Sequence, residues 1–123
     1  MKSLTMLTAA AVAAILVQPT NVQPASAQAK EVRVGFMVGL AGGRGIFGRD
    51  QRDGFLLGID HLGGKIGGIP AKVTVSDTQH KPDLARQIMD KFLKKDKVHF
   101  VAGITWSNVL AAVYKQALKN KTF

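Results

Sequence analysis

The chain has 123 residues and a formal net charge of +9, and it contains no cysteine. The lack of cysteine excludes disulfide bridges and a lipid anchor attached through a thioether, so no stapled scaffold is expected. The basic residues are dispersed, apart from a modest run within residues 91–97, and no aromatic residues alternate with them, so we expect no nucleic-acid partner.

The first 29 residues have the pattern of a secretory signal peptide. Lys2 precedes the uncharged apolar segment Leu4–Val17, which is shorter than the roughly 20 residues of a membrane-spanning helix. Small residues that follow allow A-x-A cleavage after Ala27 or after Ala29. We therefore expect residues 1–29 to be removed and residues 30–123 to lie free in the periplasm. An interfacial helix that stays attached is the alternative.

Strand and helix patterns alternate after the signal segment. The sequence predicts a strand over Val32–Val38, a helix ending at Gly63-Gly64, and a second strand over Ala71–Val75. It then predicts a helix from Pro82 to about Leu93, a strand over Val98–Ala102, a helix over Ser107–Leu118 and a further strand beginning at Thr122. This βαβαβα order indicates a parallel α/β sheet. Because such sheets usually have five or six strands, we interpret the chain as the N-terminal part of a longer protein.

The run Gly43–Gly48 spells the G-x-G-x-x-G pattern of dinucleotide-binding turns. In those sites the glycine turn follows the strand closely, and an acidic residue lies about 20 residues further on. Here Gly39–Gly42 come first, and Asp77 stands 29 positions after Gly48. We interpret the run as a connection between strand and helix, and we expect no cofactor.

Five stretches, in order, carry a family resemblance: VRVGFM (32–37), FGRDQRDGF (47–55), GGKIGGIP (63–70), VSDTQ (75–79) and, more weakly, VAGITWSN (101–108). They resemble the start of the periplasmic solute-binding proteins of the leucine/isoleucine/valine-binding type, which serve ABC uptake transporters. The resemblance covers essentially all of residues 30–123. It implies part of the first αβα lobe of a type I periplasmic binding fold, in which two lobes joined by a hinge close on a ligand.

The resemblance also implies the protein's partners. They are a small solute, an amino acid or a related carboxylate or amide, and a membrane permease that receives it from a monomeric binding protein. Since a site built on one lobe cannot enclose its ligand, we do not expect this chain alone to bind solute measurably.

The resemblance places a ligand carboxylate on the loop that contains Ser107, flanked by Trp106 and Asn108. A hydroxyl and free backbone N–H groups at a helix N-terminus suit an anion. The alternatives are that Ser107 or Asn108 only caps the helix, and that Trp106 shields the end of the sheet.

Further positions follow from the same resemblance. Phe47 matches an aromatic residue that packs on the ligand, or it anchors the start of the first helix. We expect Asp77 to organise its loop through hydrogen bonds to the backbone rather than to contact the ligand. Arg44 stands within Ala41–Arg44, where the family often has a hydroxyl residue, glycine and proline, and it faces either an acidic solute or water.

No catalytic set is present in the sequence. It has no cysteine nucleophile, no histidine paired with a serine elbow and no clustered carboxylates. The three histidines, His61, His80 and His99, lie on different elements without metal-ligand spacing, so we expect surface or half-buried residues and no metal. We predict a binding protein and not an enzyme. A ligand-sensing or enzymatic secreted α/β domain is the alternative, because a fold does not fix a function.

Overall fold

The computed structural model describes residues 30–123, and the predicted signal segment lies outside the described residues. The elements are β1 (Val32–Val38), α1 (Gly45–His61), β2 (Lys65–Ile66), β3 (Ile69–Asp77), α2 (Pro82–Lys91), β4 (Phe100–Ala102) and α3 (Ser107–Lys119). A π-helical segment, Phe92–Asp96, continues α2. The alternation of strands and helices that the sequence predicts is therefore present.

The strands form one sheet in the order β2-β3-β1-β4. The central strand β1 pairs in parallel with β3 and with β4. Its apolar run is buried on both faces, as expected for a central parallel strand. The register pairs Val38 with Asp77, the last residues of β1 and β3, so the two strands end at the same level. The predicted α/β fold with a parallel sheet is confirmed.

The short strand β2 was not predicted. Its two residues pair antiparallel with the start of β3, Lys65 with Pro70 and Ile66 with Ile69, which makes the sheet mixed. The hairpin turn uses Gly67 and Gly68 at φ values of 57° and 80°, a conformation that side chains rarely adopt. A two-residue strand is too short to show a period of two, so the sequence predicts only a turn here.

The two faces of the sheet are packed differently. On the face covered by α2 and α3, seven apolar side chains form a closed core: Met37, Ala85, Met89, Phe92, Val98, Val109 and Val113. On the opposite face Phe36 packs on Phe55 of α1, with ring centroids 4.8 Å apart. Much of α1 is solvent-accessible, and Leu57 is 55% exposed. The helices α2 and α3 are therefore the firmly packed support of the sheet.

The structure agrees with the predicted end of α1 but not with the predicted strand at Thr122. The end of α1 is as predicted, since Gly63 N–H donates to Asp60 O (2.8 Å) and Gly64 N–H to Ile59 O (2.9 Å). The predicted strand at Thr122 is not formed. Phe123 nevertheless donates to His99 O (3.3 Å) and accepts from Val101 N–H (2.5 Å), which is the start of parallel pairing beside β4.

Candidate functional site

Three loops lie together at the carboxyl edge of the sheet, and we call them the loop cluster. They are residues 39–44 after β1, 78–81 after β3 and 103–106 after β4. Because all three strands are parallel, their carboxyl ends meet at one edge. In open α/β sheets this edge, where loops meet helix N-termini, is where ligands bind.

Asp77 and Thr78 connect the first two loops. The Asp77 Oδ1 atom accepts the backbone N–H groups of Leu40 (2.9 Å) and Gln79 (2.8 Å). The backbone N–H of Thr78 donates to Val38 O at 2.7 Å. These bonds are what a loop-organising Asp77 requires, and the role itself stays a prediction.

His80 joins the second loop to the other two. Its Nε2 atom lies 3.0 Å from Ala41 O, which can only accept, so Nε2 carries the proton of this bond. The imidazole meets the indole of Trp106 edge-on, with ring centroids 5.6 Å apart. Gln79 and His80 both adopt left-handed backbone conformations, at φ values of 49° and 60°. The surrounding contacts must hold this uncommon turn in place.

The sequence predicts only that His80 is a surface or half-buried residue, and its connecting role was missed. The available signal is position: His80 stands three residues beyond the end of β3, at the edge where the first and third loops also begin. The spacing of histidines along the sequence indicates whether they could bind a metal together, but it does not predict a contact of one histidine with neighbouring loops. Among residues 30–123 no group of three or more His, Cys, Asp or Glu side chains lies close enough to hold a metal ion.

Trp106 stands where the three loops meet. The guanidinium carbon of Arg44 lies 5.1 Å from the centroid of its ring. The side chain also packs against the core under α3, and its Nε1 atom is buried without a hydrogen-bond partner in the described part of the chain. Trp106 thus covers the end of the sheet while one face of its ring meets the first loop.

Ser107 and Asn108 are exposed residues in the first turn of α3. The capping alternative for them is wrong, because Trp106 occupies the N-cap position and no side-chain cap hydrogen bond is made. The first helical bond runs from Leu110 N–H to Trp106 O at 2.9 Å. The backbone N–H groups of Ser107 and Asn108 precede that bond, so they point out of the helix end. Their contact with a ligand stays a prediction.

Phe47 lies on the first turns of α1 and is 59% exposed. That exposure contradicts the alternative that it anchors the helix start, while a ligand contact stays a prediction. Within residues 30–123 Phe47 is not among the paired aromatic rings, so it does not stack on Trp106. The start of α1 is instead held by Arg49, which donates to Leu40 O (3.1 Å), and by Gln51 Oε1, which accepts from Thr105 Oγ1 (2.7 Å).

The loop cluster and the adjoining starts of α1 and α3 together offer backbone N–H groups, a hydroxyl, a guanidinium and exposed aromatic surface. Groups of these kinds are able to form hydrogen bonds with a polar or charged solute, and the sequence supplies no nucleophile and base in hydrogen-bonded order beside them. None of the helices in residues 30–123 is long and apolar enough to cross a membrane.

A family model described as periplasmic binding protein matches residues 31–123, most of the chain. The chain belongs to the periplasmic binding protein family. None of the curated proteins matches the sequence.

Solved structures of this periplasmic binding protein's relatives agree with the fold. An ABC transporter substrate-binding protein from Sphaerobacter thermophilus is 30% identical, with a TM-score of 0.70, over 75% of this chain and 25% of that chain. The branched-chain amino acid transporter substrate-binding protein LivJ from Streptococcus pneumoniae, in complex with isoleucine, is 25% identical, with a TM-score of 0.67, over 74% and 27%. A solute-binding protein from R. palustris, in complex with benzoate, shares the fold at 24% identity and a TM-score of 0.70, over 75% and 26%. The chain spans about a quarter of the length of these proteins.

Proposed function

We propose that this chain supplies one side of the solute-binding site of an extracytoplasmic receptor for an ABC uptake transporter. One observation carries the proposal: in a member of the periplasmic binding protein family, the three loops at the carboxyl edge of the sheet are tied together around Trp106. A rigid, polar and partly aromatic edge of this kind positions a small solute.

The proposed solute carries a carboxylate that sits at the start of α3. Ser107 contributes its hydroxyl. The backbone N–H groups of Ser107 and Asn108 point out of the N-terminus of α3, which is the positive end of the helix dipole and attracts an anion. Trp106 and Phe47 provide apolar surface for the body of the solute. Isoleucine and benzoate, which two relatives hold, differ in shape but both carry a carboxylate.

The proposed mechanism is a change of population and not a chemical reaction. A second lobe closes over the solute, and the solute stabilises the closed form by its higher affinity for it. The closed, monomeric protein then docks on a membrane permease. This course requires export, in keeping with the predicted signal peptide at residues 1–29.

The test is titration calorimetry on the protein expressed from its complete reading frame without residues 1–29. Leucine and benzoate serve as probes, with Ser107→Ala as the variant and Gln87→Ala, an exposed polar residue on α2, as the control. We expect micromolar binding of at least one probe. Loss of one hydrogen bond to a charged group should weaken it about tenfold in Ser107→Ala, with no change in Gln87→Ala.

The same titrations can refute the proposal. If neither probe binds to a folded protein, the proposed carboxylate site does not exist. If a probe binds equally well to Ser107→Ala and to the control variant, the solute lies elsewhere.

A further inference from the structure

Arg44, like Arg49 and Lys81, has no ion-pair partner in the described part of the chain. The ion pairs of residues 30–123 use Arg33, Arg52, Arg86, Lys91 and Lys94. Arg44 instead lies over the ring of Trp106, with its guanidinium carbon 5.1 Å from the ring centroid. This cation–π contact orients the planar group while leaving its five N–H donors free in the plane.

The charges of the loop cluster are unbalanced. Its cations are Arg44 and Lys81, and the carboxylate at its base is Asp77. Asp77 is already engaged, because one of its oxygens accepts two backbone N–H groups. On the adjoining helices, Asp83 pairs with Arg86 on α2, and Asp53 pairs with Arg52 on α1, whose hydrogen bond lowers the pKa of the Asp53 carboxyl. Asp50 on α1 is exposed and forms no ion pair within residues 30–123.

An amino acid and a simple carboxylic acid place different demands on such a site. Both present a carboxylate, but the amino acid also brings an ammonium group that must leave water and needs an acceptor or an anion beside it. The loop cluster offers a free guanidinium at that place, and its one carboxylate, Asp77, is held at the base of the cluster by two backbone N–H groups. Arg44 therefore attracts the carboxylate and repels the ammonium.

We infer that Arg44 is a specificity-determining residue that selects carboxylate solutes without an ammonium group over the matching amino acids. This inference rests on the proposed function, since it names the class of solute for the same site. The guanidinium forms a two-bond contact with a carboxylate, a geometry that lysine cannot reproduce. Trp106, which holds the guanidinium in place, supplies apolar surface beside it.

The experiment compares matched pairs of probes: 4-methylpentanoate with leucine, and 3-phenylpropanoate with phenylalanine. Calorimetry uses the protein from the complete reading frame without residues 1–29. We expect each acid to bind at least tenfold more tightly than its amino acid. In Arg44→Gln the acids should weaken about tenfold to a hundredfold, the range for a lost charge-assisted contact, while the amino acids change less than twofold.

Three further measurements separate recognition from folding. Arg86→Gln, an exposed arginine on α2, should leave all affinities unchanged. Arg44→Lys keeps the charge without the paired donors and should recover only part of the affinity for the acids. Should Arg44→Gln unfold, Arg44→Lys and the decline of wild-type acid affinity with rising salt still test the charge contact.

The outcomes distinguish this inference from the proposed function. Tighter binding of the amino acids to the wild type, or an Arg44→Gln variant that binds the acids unchanged, overturns the role of Arg44 while the solute-binding site stands. If neither class binds, or if Ser107→Ala has no effect, the site itself is wrong.

Discussion

The closed core under α2 and α3 and the loop cluster at the carboxyl edge are held by different forces. The core is made of apolar side chains from two helices and the central strand, with Met89 and Phe92 almost fully buried. The loop cluster is half exposed and depends on a few directed contacts, chiefly those of Asp77 and His80. The difference indicates that stability resides mainly in the core and recognition in the loops, so substitutions should separate the two.

The largest effect is expected in the core. Phe92→Ala removes a fully buried ring that fills the space over Gly35 of β1. The loss of burial and the cavity left behind should lower the free energy of unfolding by about 3–5 kcal/mol, measured by urea denaturation followed by circular dichroism. The control Leu57→Ala, on the open face of α1, should stay within about 0.5 kcal/mol. Equal losses would show that the two faces of the sheet are packed alike.

An intermediate loss of stability is expected at Gly39, where the loop cluster is closely packed. A Cβ atom on Gly39 would overlap the imidazole of His80, whereas one on Gly43 would meet no atom within 4 Å. Gly39→Ala must therefore displace His80 from Ala41 O and from Trp106. We expect a loss of about 1–3 kcal/mol, typical of overpacking.

The chain's one tryptophan is Trp106, so its fluorescence reports directly on this contact. Gly39→Ala should shift the emission of the folded protein, and Gly43→Ala should leave it unchanged. Unaltered emission in both variants would mean that His80 does not set the surroundings of the indole.

The fold was predictable because its signals are local. Met89 and Phe92 lie in the helix that the sequence predicts from Pro82 to about Leu93, and β1 is predicted from the nearly continuous apolar run Val32–Val38. The contacts of the loop cluster are different in kind. His80 reaches Ala41 across 39 positions, and this approach depends on the register of β1 with β3, which periodicity does not encode. The hairpin of β2 and the π-helical turn at Phe92–Asp96 were missed because each is too short to show a repeat.

The smallest change in stability is expected at Ser107, and it separates a binding residue from a structural one. A serine that caps a helix typically contributes about 1 kcal/mol. Ser107 is instead the first residue within α3, after an uncapped N-cap at Trp106, and its side chain is exposed. Ser107→Ala should therefore change the free energy of unfolding by less than about 0.5 kcal/mol, measured by urea denaturation beside Gln87→Ala. A loss near 1 kcal/mol would mean that the hydroxyl does cap α3 in solution. In that case a weaker affinity of the variant would report a disturbed helix end and not a lost contact with the solute.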